Sequence, residues 1–304
     1  MDFDRSGLPA KIAVVTRTKN RPLFLDRCIQ TVLEQTESDW THVIVNDGGD
    51  PAPVDALVSQ YADRYRGRVQ VVHNETSVGM EAASNIGIKA SDSRYIVILD
   101  DDDSWDSRFL EVMTAHLEDN TWPHLKGCFC HTKIIYEEIR DGRIVETGRG
   151  DFNSWISYLD FFQLLPANRF TPVCFVFERA ALDEVGLFDE SLPVCGDWEF
   201  NLRFLSHYDI DTVQRELAYW HQRPTVKGVN GNSINAGADM HALYRARIIN
   251  RWVRDGLKQK ATGMADLFAA AIAIEQGVIM QRKIDRRRGL RRLTHKLKSW
   301  LKGR

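Results

Sequence analysis

Four consecutive carboxylates, Asp100, Asp101, Asp102 and Asp103, follow directly on the apolar run Tyr95-Ile-Val-Ile-Leu99. Like charges this close raise one another's pKa values, and beside a low-dielectric sheet they are costly unless cations or hydrogen-bond donors compensate them. Three kinds of chemistry account for such a run: a solvated acidic loop, a calcium loop, or a divalent-cation site serving a phosphate-bearing ligand. Asp100, Asp102, Ser104, Asp106 and Glu111 approach calcium-loop spacing, but Trp105 stands where that loop needs glycine, and a strand precedes it rather than a helix. A solvated loop would be set off from the strand by Gly, Pro or Ser, and none intervenes. One or two carboxylates with open coordination positions are how proteins present Mg²⁺ or Mn²⁺ to a diphosphate, and that reading is preferred.

The elements that would position this run alternate. Strands are predicted over 12–15, 42–45, 69–72 and 95–99, with helices over 23–34, 54–65 and 80–90 between them. A β-α-β-α series implies right-handed crossovers and an α/β fold with a largely parallel, Rossmann-like sheet flanked by helices. Ligands of such sheets bind beyond the carboxyl ends of the strands. Those ends read Thr16-Arg17, Asn46-Asp47-Gly48-Gly49, His73-Asn74 and the acidic run, all polar and all gathered on one rim. Further on, a helix is predicted over 107–118, then a hairpin from 126–138 returning through Asp141-Gly142, which suits a type I′ turn. A helix over 155–165, a strand over 173–177 and a helix over 198–206 follow, then a Gly- and Asn-rich loop over 224–238 expected to be mobile. Helices over 239–255 and 264–288 complete the chain.

The 304 residues, 43% hydrophobic and 27% charged, suffice for one large domain with a helical appendage. The expected division is 1–237, with halves over 1–106 and 107–237, then a C-terminal helical extension over 238–304. Cys28, Cys128, Cys130, Cys174 and Cys195 form an odd set without a CxxC pair, so buried free thiols are expected. The first residues hold acidic groups and no apolar leader, and the longest apolar stretch is interrupted by Glu275 and Gln276; a cytoplasmic protein is expected. The net charge of −2 hides an asymmetry: 282–304 hold eleven Lys or Arg against one Asp, a net +10, leaving −12 before them. Leu290, Leu293, Leu297, Trp300 and Leu301 recur at helical spacing there, and Arg286, Arg287 and Arg288 stand beside them. Such a basic amphipathic helix suits the face of an anionic membrane, on the inner side of the cell membrane, through 286–304. No stacking platform or reading motif for nucleic acid accompanies it, and none is expected as a partner.

The chain resembles a family 2 glycosyltransferase of the GT-A nucleotide-diphospho-sugar transferase fold. The resemblance rests on "VVTRTKNRP" at 14–22, "VIVNDGG" at 43–49, "NETSVGMEAASNIGIKAS" at 74–91, "YIVILDDDDSW" at 95–105 and "LDEVGLFDESLPVCGDWEFNLRF" at 182–204, in that order. It implies that Thr16, Arg17, Arg21 and Asp47 hold the nucleoside, with Asn74 and Asn85 also on the donor side. Within the DxD-like run, Asp100 or Asp101 would face the ribose and Asp102 the metal, while Asp103 caps the turn before the next helix. "GDWEF" at 196–200 resembles the segment that supplies the catalytic base; Asp197 takes that role, Gly196 replaces the other member of an acidic pair, and Glu199 is the reserve. "YWHQRP" at 219–224 places His221 at the metal, and Lys227 could touch phosphate. Where many relatives carry Ala-Arg-Asn, this chain has Ala83-Ser84-Asn85, so a cation is missing near the acidic run.

The implied activity is inverting, Mn²⁺- or Mg²⁺-dependent transfer of a hexosyl or deoxyhexosyl group from a UDP or dTDP sugar to a hydroxyl of a glycan or lipid-linked acceptor, in surface polysaccharide assembly. The alternatives are a nucleotidyltransferase, disfavoured because no Gly-rich, Lys- or Arg-bearing phosphate loop follows the first strand, and a non-catalytic nucleotide-sugar or glycan-binding module.

Overall fold

The computed structural model describes residues 9–226, 228–232, 238–258 and 272. Among the described residues, those of 9–159 and 168–246 form one compact unit, and those of 160–167 with 247–258 form another. In the first half, strands β1 (Ile12–Thr18), β2 (Trp40–Asp47), β3 (Val69–Asn74) and β4 (Tyr95–Ile98) alternate with helices α1 (Pro22–Leu33), α2 (Pro51–Gln60), α3 (Ala62–Tyr65) and α4 (Met80–Lys89). The order β3-β2-β1-β4 is parallel throughout. Ile12, Ala13, Val14 and Val15 of β1 are fully buried, as befits a central parallel strand covered on both faces. Helix α1 opens with Pro22, whose missing N–H costs nothing in the first turn, and buries Phe24, Leu25, Cys28, Ile29 and Val32. Helix α4 lies close on the sheet because residue 87 is glycine: a Cβ there would come within 2.3 Å of Val15 Cγ1.

The second half is mixed. Strands β5 (Ser104–Trp105), β6 (Leu125–Arg140), β7 (Arg143–Asp151), β8 (Phe175–Glu178) and β9 (Asp209–Gln222) continue the sheet as β4-β8-β6-β9-β5, with β7 on β6. Among the described residues these nine strands form a single sheet. β8 runs antiparallel between β4 and β6, whereas β6 and β9 are parallel. Helices α5 (Phe109–Glu118), α6 (Phe161–Leu164), α7 (Leu182–Val185), α8 (Gly196–His207) and α9 (Ala238–Lys258) complete the described elements. Phe129, Phe170, Phe175, Phe177, Phe200 and Phe204 form a chain of ring contacts at 4.5 to 6.1 Å beneath α8. The β6–β7 turn has positive φ at Asp141 and Gly142, as a type I′ turn requires.

Three expectations change. The helix over 155–165 shrinks to the four residues of α6. Asn153 is buried and holds the preceding loop through Thr132 N–H and the Arg169 carbonyl, while Trp155 and Tyr158 are exposed. Strand β9 was not expected at all, because its apolar residues Ile210, Val213, Leu217 and Ala218 are interrupted by the polar run Gln214-Arg215-Glu216. The loop over 224–238 is anchored within its described part by buried Asn232. The helix expected over 264–288, apart from residue 272, the basic tail over 286–304 and Lys227 lie outside the described residues. Cys28, Cys128, Cys130 and Cys174 are buried free thiols and Cys195 is half-buried. Among the described residues no helix is long and apolar enough to cross a membrane.

Candidate active site

The acidic run is a turn pinned at both ends. Leu99 N–H bonds to Val15 O at 2.9 Å, Asp103 N–H bonds to Asp100 O at 3.0 Å, and Ser104 then pairs with Tyr219 of β9. The four carboxylates meet different partners. Asp100, 30% exposed, accepts from Arg17 Nε at 2.8 Å. Asp101 is fully buried and accepts from Thr18 Oγ1 at 2.7 Å and from Arg21. Asp103 accepts the His221 N–H at 2.9 Å instead of capping a helix, for α5 begins only at Phe109. Burial pushes the Asp101 carboxyl up while Arg21 opposes it, and burial with the charges of Asp102 and Asp100 pushes Asp103 up.

Asp102 is the most informative of the four. Arg21, Arg223 and Asn232 all donate to its Oδ2, and among the described residues no donor reaches Oδ1. The carboxylate is thus fixed by one oxygen and keeps the other. Arg223 is fully buried, lies over the Phe24 ring at 4.2 Å and also bonds Glu137. The cation missing at position 84 comes from the sheet side: Arg17 donates to Ser84 Oγ at 2.9 Å and to Met80 O at 3.1 Å while it holds Asp100. Charge compensation of the run is therefore built into β1, the start of α1 and the segment after β9.

A cavity of about 700 Å³ opens beyond the carboxyl ends of the strands, and Arg17, Arg21, Asp47, Asp100 and Asp102 are among its walls. Asp47 accepts from Asn74 Nδ2, Ser77 Oγ, Val78 N–H and Gly79 N–H at 2.6 to 3.1 Å. Burial raises its pKa, but these donors together take it below the ordinary carboxylate value. It is not the Asx residue of its turn; Asn46 is, bonding Gly49 N–H and O.

Several expected site residues stand elsewhere. Thr16 is fully buried against His42 at 2.9 Å and Cys28, because its side chain points into the sheet interior. Asn74 touches Asp47 and supports the wall without belonging to it. Buried Asn85 brackets the chain at Phe188, donating to its carbonyl and accepting its N–H, and also bonds Glu190. His221 faces the other side of β9. Side chains alternate along a strand, so Trp220 and Gln222 line the 700 Å³ cavity while Tyr219 and His221 line a separate one of about 470 Å³. Both nitrogens of His221 are engaged, Nδ1 with Glu137 at 2.5 Å and Nε2 with Ser104 Oγ at 2.7 Å. As placed, neither nitrogen is left to ligate a cation at Asp102.

Asp197 opens α8. Its Oδ1 accepts Trp198 N–H and its Oδ2 accepts Asn168 Nδ2, each at 2.8 Å, and burial pushes its carboxyl above the ordinary value. It is not among the walls of the large cavity, although Arg17 and Asp100 from those walls act on its charge. Glu199 forms an ion pair with Arg203 at 2.8 Å. Sequence reasoning passed over Thr18, Ser77, Glu81, Glu137, Arg223 and Asn232. For Thr18 the period-2 rule from Thr16 was a usable signal; Arg223 and Asn232 depend on β9, which was not foreseen.

Among the described residues no three His, Cys, Asp or Glu side chains converge on a common point. Asp102 Oδ1 would offer one hard oxygen to a divalent cation, as suits an ion that takes the rest of its ligands from outside the protein.

A family model described as Glycosyl transferase family 2 matches residues 13–186. The chain is 28% identical over 204 residues to the uncharacterized glycosyltransferase YwdF of Bacillus subtilis, covering 67% of this chain and 71% of that one. It is 32% identical over 106 residues to the putative colanic acid biosynthesis glycosyl transferase WcaA of Escherichia coli, covering 34% and 37%. Among solved structures, S. aureus TarS 1–349 in complex with UDP-GlcNAc superposes with a TM-score of 0.57 at 17% identity, covering 79% of this chain and 66% of that one. The mannosyltransferase PcManGT of Pyrobaculum calidifontis, in complex with GDP-Man and Mn²⁺, superposes with a TM-score of 0.58 at 16% identity, covering 89% and 76%. At these identities the structural likeness speaks for the fold, the GT-A arrangement.

Proposed function

Because the chain belongs to glycosyl transferase family 2 and is a glycosyltransferase of GT-A fold, we propose that it moves a hexosyl or deoxyhexosyl group from a nucleoside diphosphate donor to a glycan or lipid-linked hydroxyl, with inversion. The observation that carries this reading is the half-committed carboxylate of Asp102 on the wall of the large cavity, beside Asp100, Arg17 and Asp47. Asp47 and Arg21 face the base of a UDP or dTDP donor, Asp100 the ribose, and Asp102 holds Mn²⁺ or Mg²⁺. When bound, that cation neutralises charge developing on the departing diphosphate. Asp197 accepts the proton of the acceptor hydroxyl; its burial favours that role, since a raised pKa makes a carboxylate a better base. Asn168 and the Trp198 N–H fix its orientation.

The names of relatives such as WcaA support an acceptor in polysaccharide assembly. The tail over 286–304 would bring the enzyme to an anionic membrane bearing a lipid-linked acceptor. Sedimentation with phosphatidylglycerol vesicles should carry down the full chain and leave a version ending at Gly289 in solution; equal binding would remove the membrane role. For the activity itself, UDP, dTDP and GDP sugars are offered with Mn²⁺ and a pool of cell-surface oligosaccharides. One donor should release its nucleoside diphosphate and give product of inverted anomeric configuration; release that persists undiminished in chelator would contradict the metal's part.

A further inference from the structure

Glu81, the second residue of α4, is 5% exposed, and its Oε2 is buried with no hydrogen-bond partner among the described residues. The nearest cation is Arg17, whose Nη1 lies 3.7 Å from that oxygen. On the other side the carboxyl packs over Gly196, the first residue of α8: a Cβ at 196 would come within 2.4 Å of both Cδ and Oε1 of Glu81. A side chain at 196 would thus displace the carboxyl from where it rests, and the next residue is Asp197. The charged groups around Glu81 are Arg17 from β1, Asp100 after β4, and Asp197 and Glu199 of α8; Glu199 is itself paired with Arg203. One guanidinium, already bonded to Asp100 at 2.8 Å, faces three carboxyl groups.

Resting on the function proposed above, we infer that Glu81 is a positioning residue of the transfer site: protonated, it leaves Arg17 committed to Asp100 on the donor side and seats the start of α8 under Asp197. Ionised, it competes with Asp100 for Arg17. Burial pushes the Glu81 carboxyl up to about 7, with Asp197, Asp100 and Glu199 adding to the rise and Arg17 opposing it, so the competition falls in an accessible pH range.

The probes are UDP and dTDP with Mn²⁺, titrated calorimetrically into the full chain at pH 6 and pH 8.5. From the lower to the higher pH, wild-type affinity should fall about fivefold more than that of Glu81→Gln, the size of one ion pair redirected at a partly solvated site. Equal pH dependence in the two proteins overturns the inference. Thermal unfolding between pH 5 and 9 decides the matter without any nucleotide. A carboxyl whose folded pKa lies above its ordinary 4.5 weakens the fold increasingly as pH rises from 4.5 to about 7, because only the unfolded chain ionises freely. The melting temperature of Glu81→Gln should therefore gain on wild type across that window, and a constant difference overturns the inference. If neither nucleotide binds wild type while the unfolding result holds, the proposed function fails and the proton on Glu81 stands.

Discussion

Strand β9 separates two polar cavities that treat charge in opposite ways. Behind it, the charged groups of the smaller cavity's core pair with one another, His221 with Glu137 and Ser104, Glu137 with Arg27 and Arg223, and Arg27 Nε alone of their polar atoms is buried without a partner among the described residues. In front, Asp102 and Asp100 each keep an oxygen without a donor among the described residues. A framework pairs its charged groups, because an unsatisfied one costs stability, whereas a ligand site keeps some capacity in reserve for its ligand. The same β9 serves both, through Trp220 and Gln222 on one face and Tyr219 and His221 on the other.

Substitutions on the two sides should fail differently. The largest effect belongs to Asp197→Ala, expected to lower transfer by about 10² to 10⁴ with folding retained; near wild-type transfer would take the base role away from Asp197. Next comes Glu137→Gln behind the strand, expected to cost about 3 kcal/mol in urea unfolding, since it breaks a buried ion-pair network. Burial pushes Glu137 up, but the hydrogen bond and charge of His221 and the pairing with Arg27 outweigh it and bring its pKa to about 2. That stability is present above the ordinary 4.5 and is lost as pH falls toward 2, so the variant's acid unfolding curve should be flatter over that window. Arg17→Ala should weaken nucleotide binding about tenfold, by loss of a charge-assisted bond to Asp100. His221→Gln should change least at the ligand: some stability is lost, but the Mn²⁺ dependence of nucleotide binding stays. Its disappearance would erase the distinction between the two cavities.

The parallel half of the fold was legible because central strands and their helices announce themselves by apolar runs and periodicity, as β1, β4 and α4 do. The rim was legible for the same reason, since the ends of those strands are fixed once the strands are. Depth along the strand was not: Thr16 and Thr18 point to the same face of β1, but Thr16 lies inside the sheet while Thr18, at the strand's end, reaches the cavity. Strand β9 carries Gln214, Arg215 and Glu216 in sequence, a stretch without apolar signal, and with it went the partners Arg223 and Asn232. Glu81 could not be found from sequence because its significance lies in contact with Gly196, 115 positions away.

Calorimetric titration of UDP, dTDP, GDP and CDP, each with and without Mn²⁺, into wild type and Asp102→Asn decides between a ligand site and a compensated acidic turn. One nucleotide should bind wild type only with Mn²⁺, and Asp102→Asn should lose that dependence while still folding. Binding of equal strength with and without Mn²⁺, or a variant indistinguishable from wild type, would contradict the role given to Asp102.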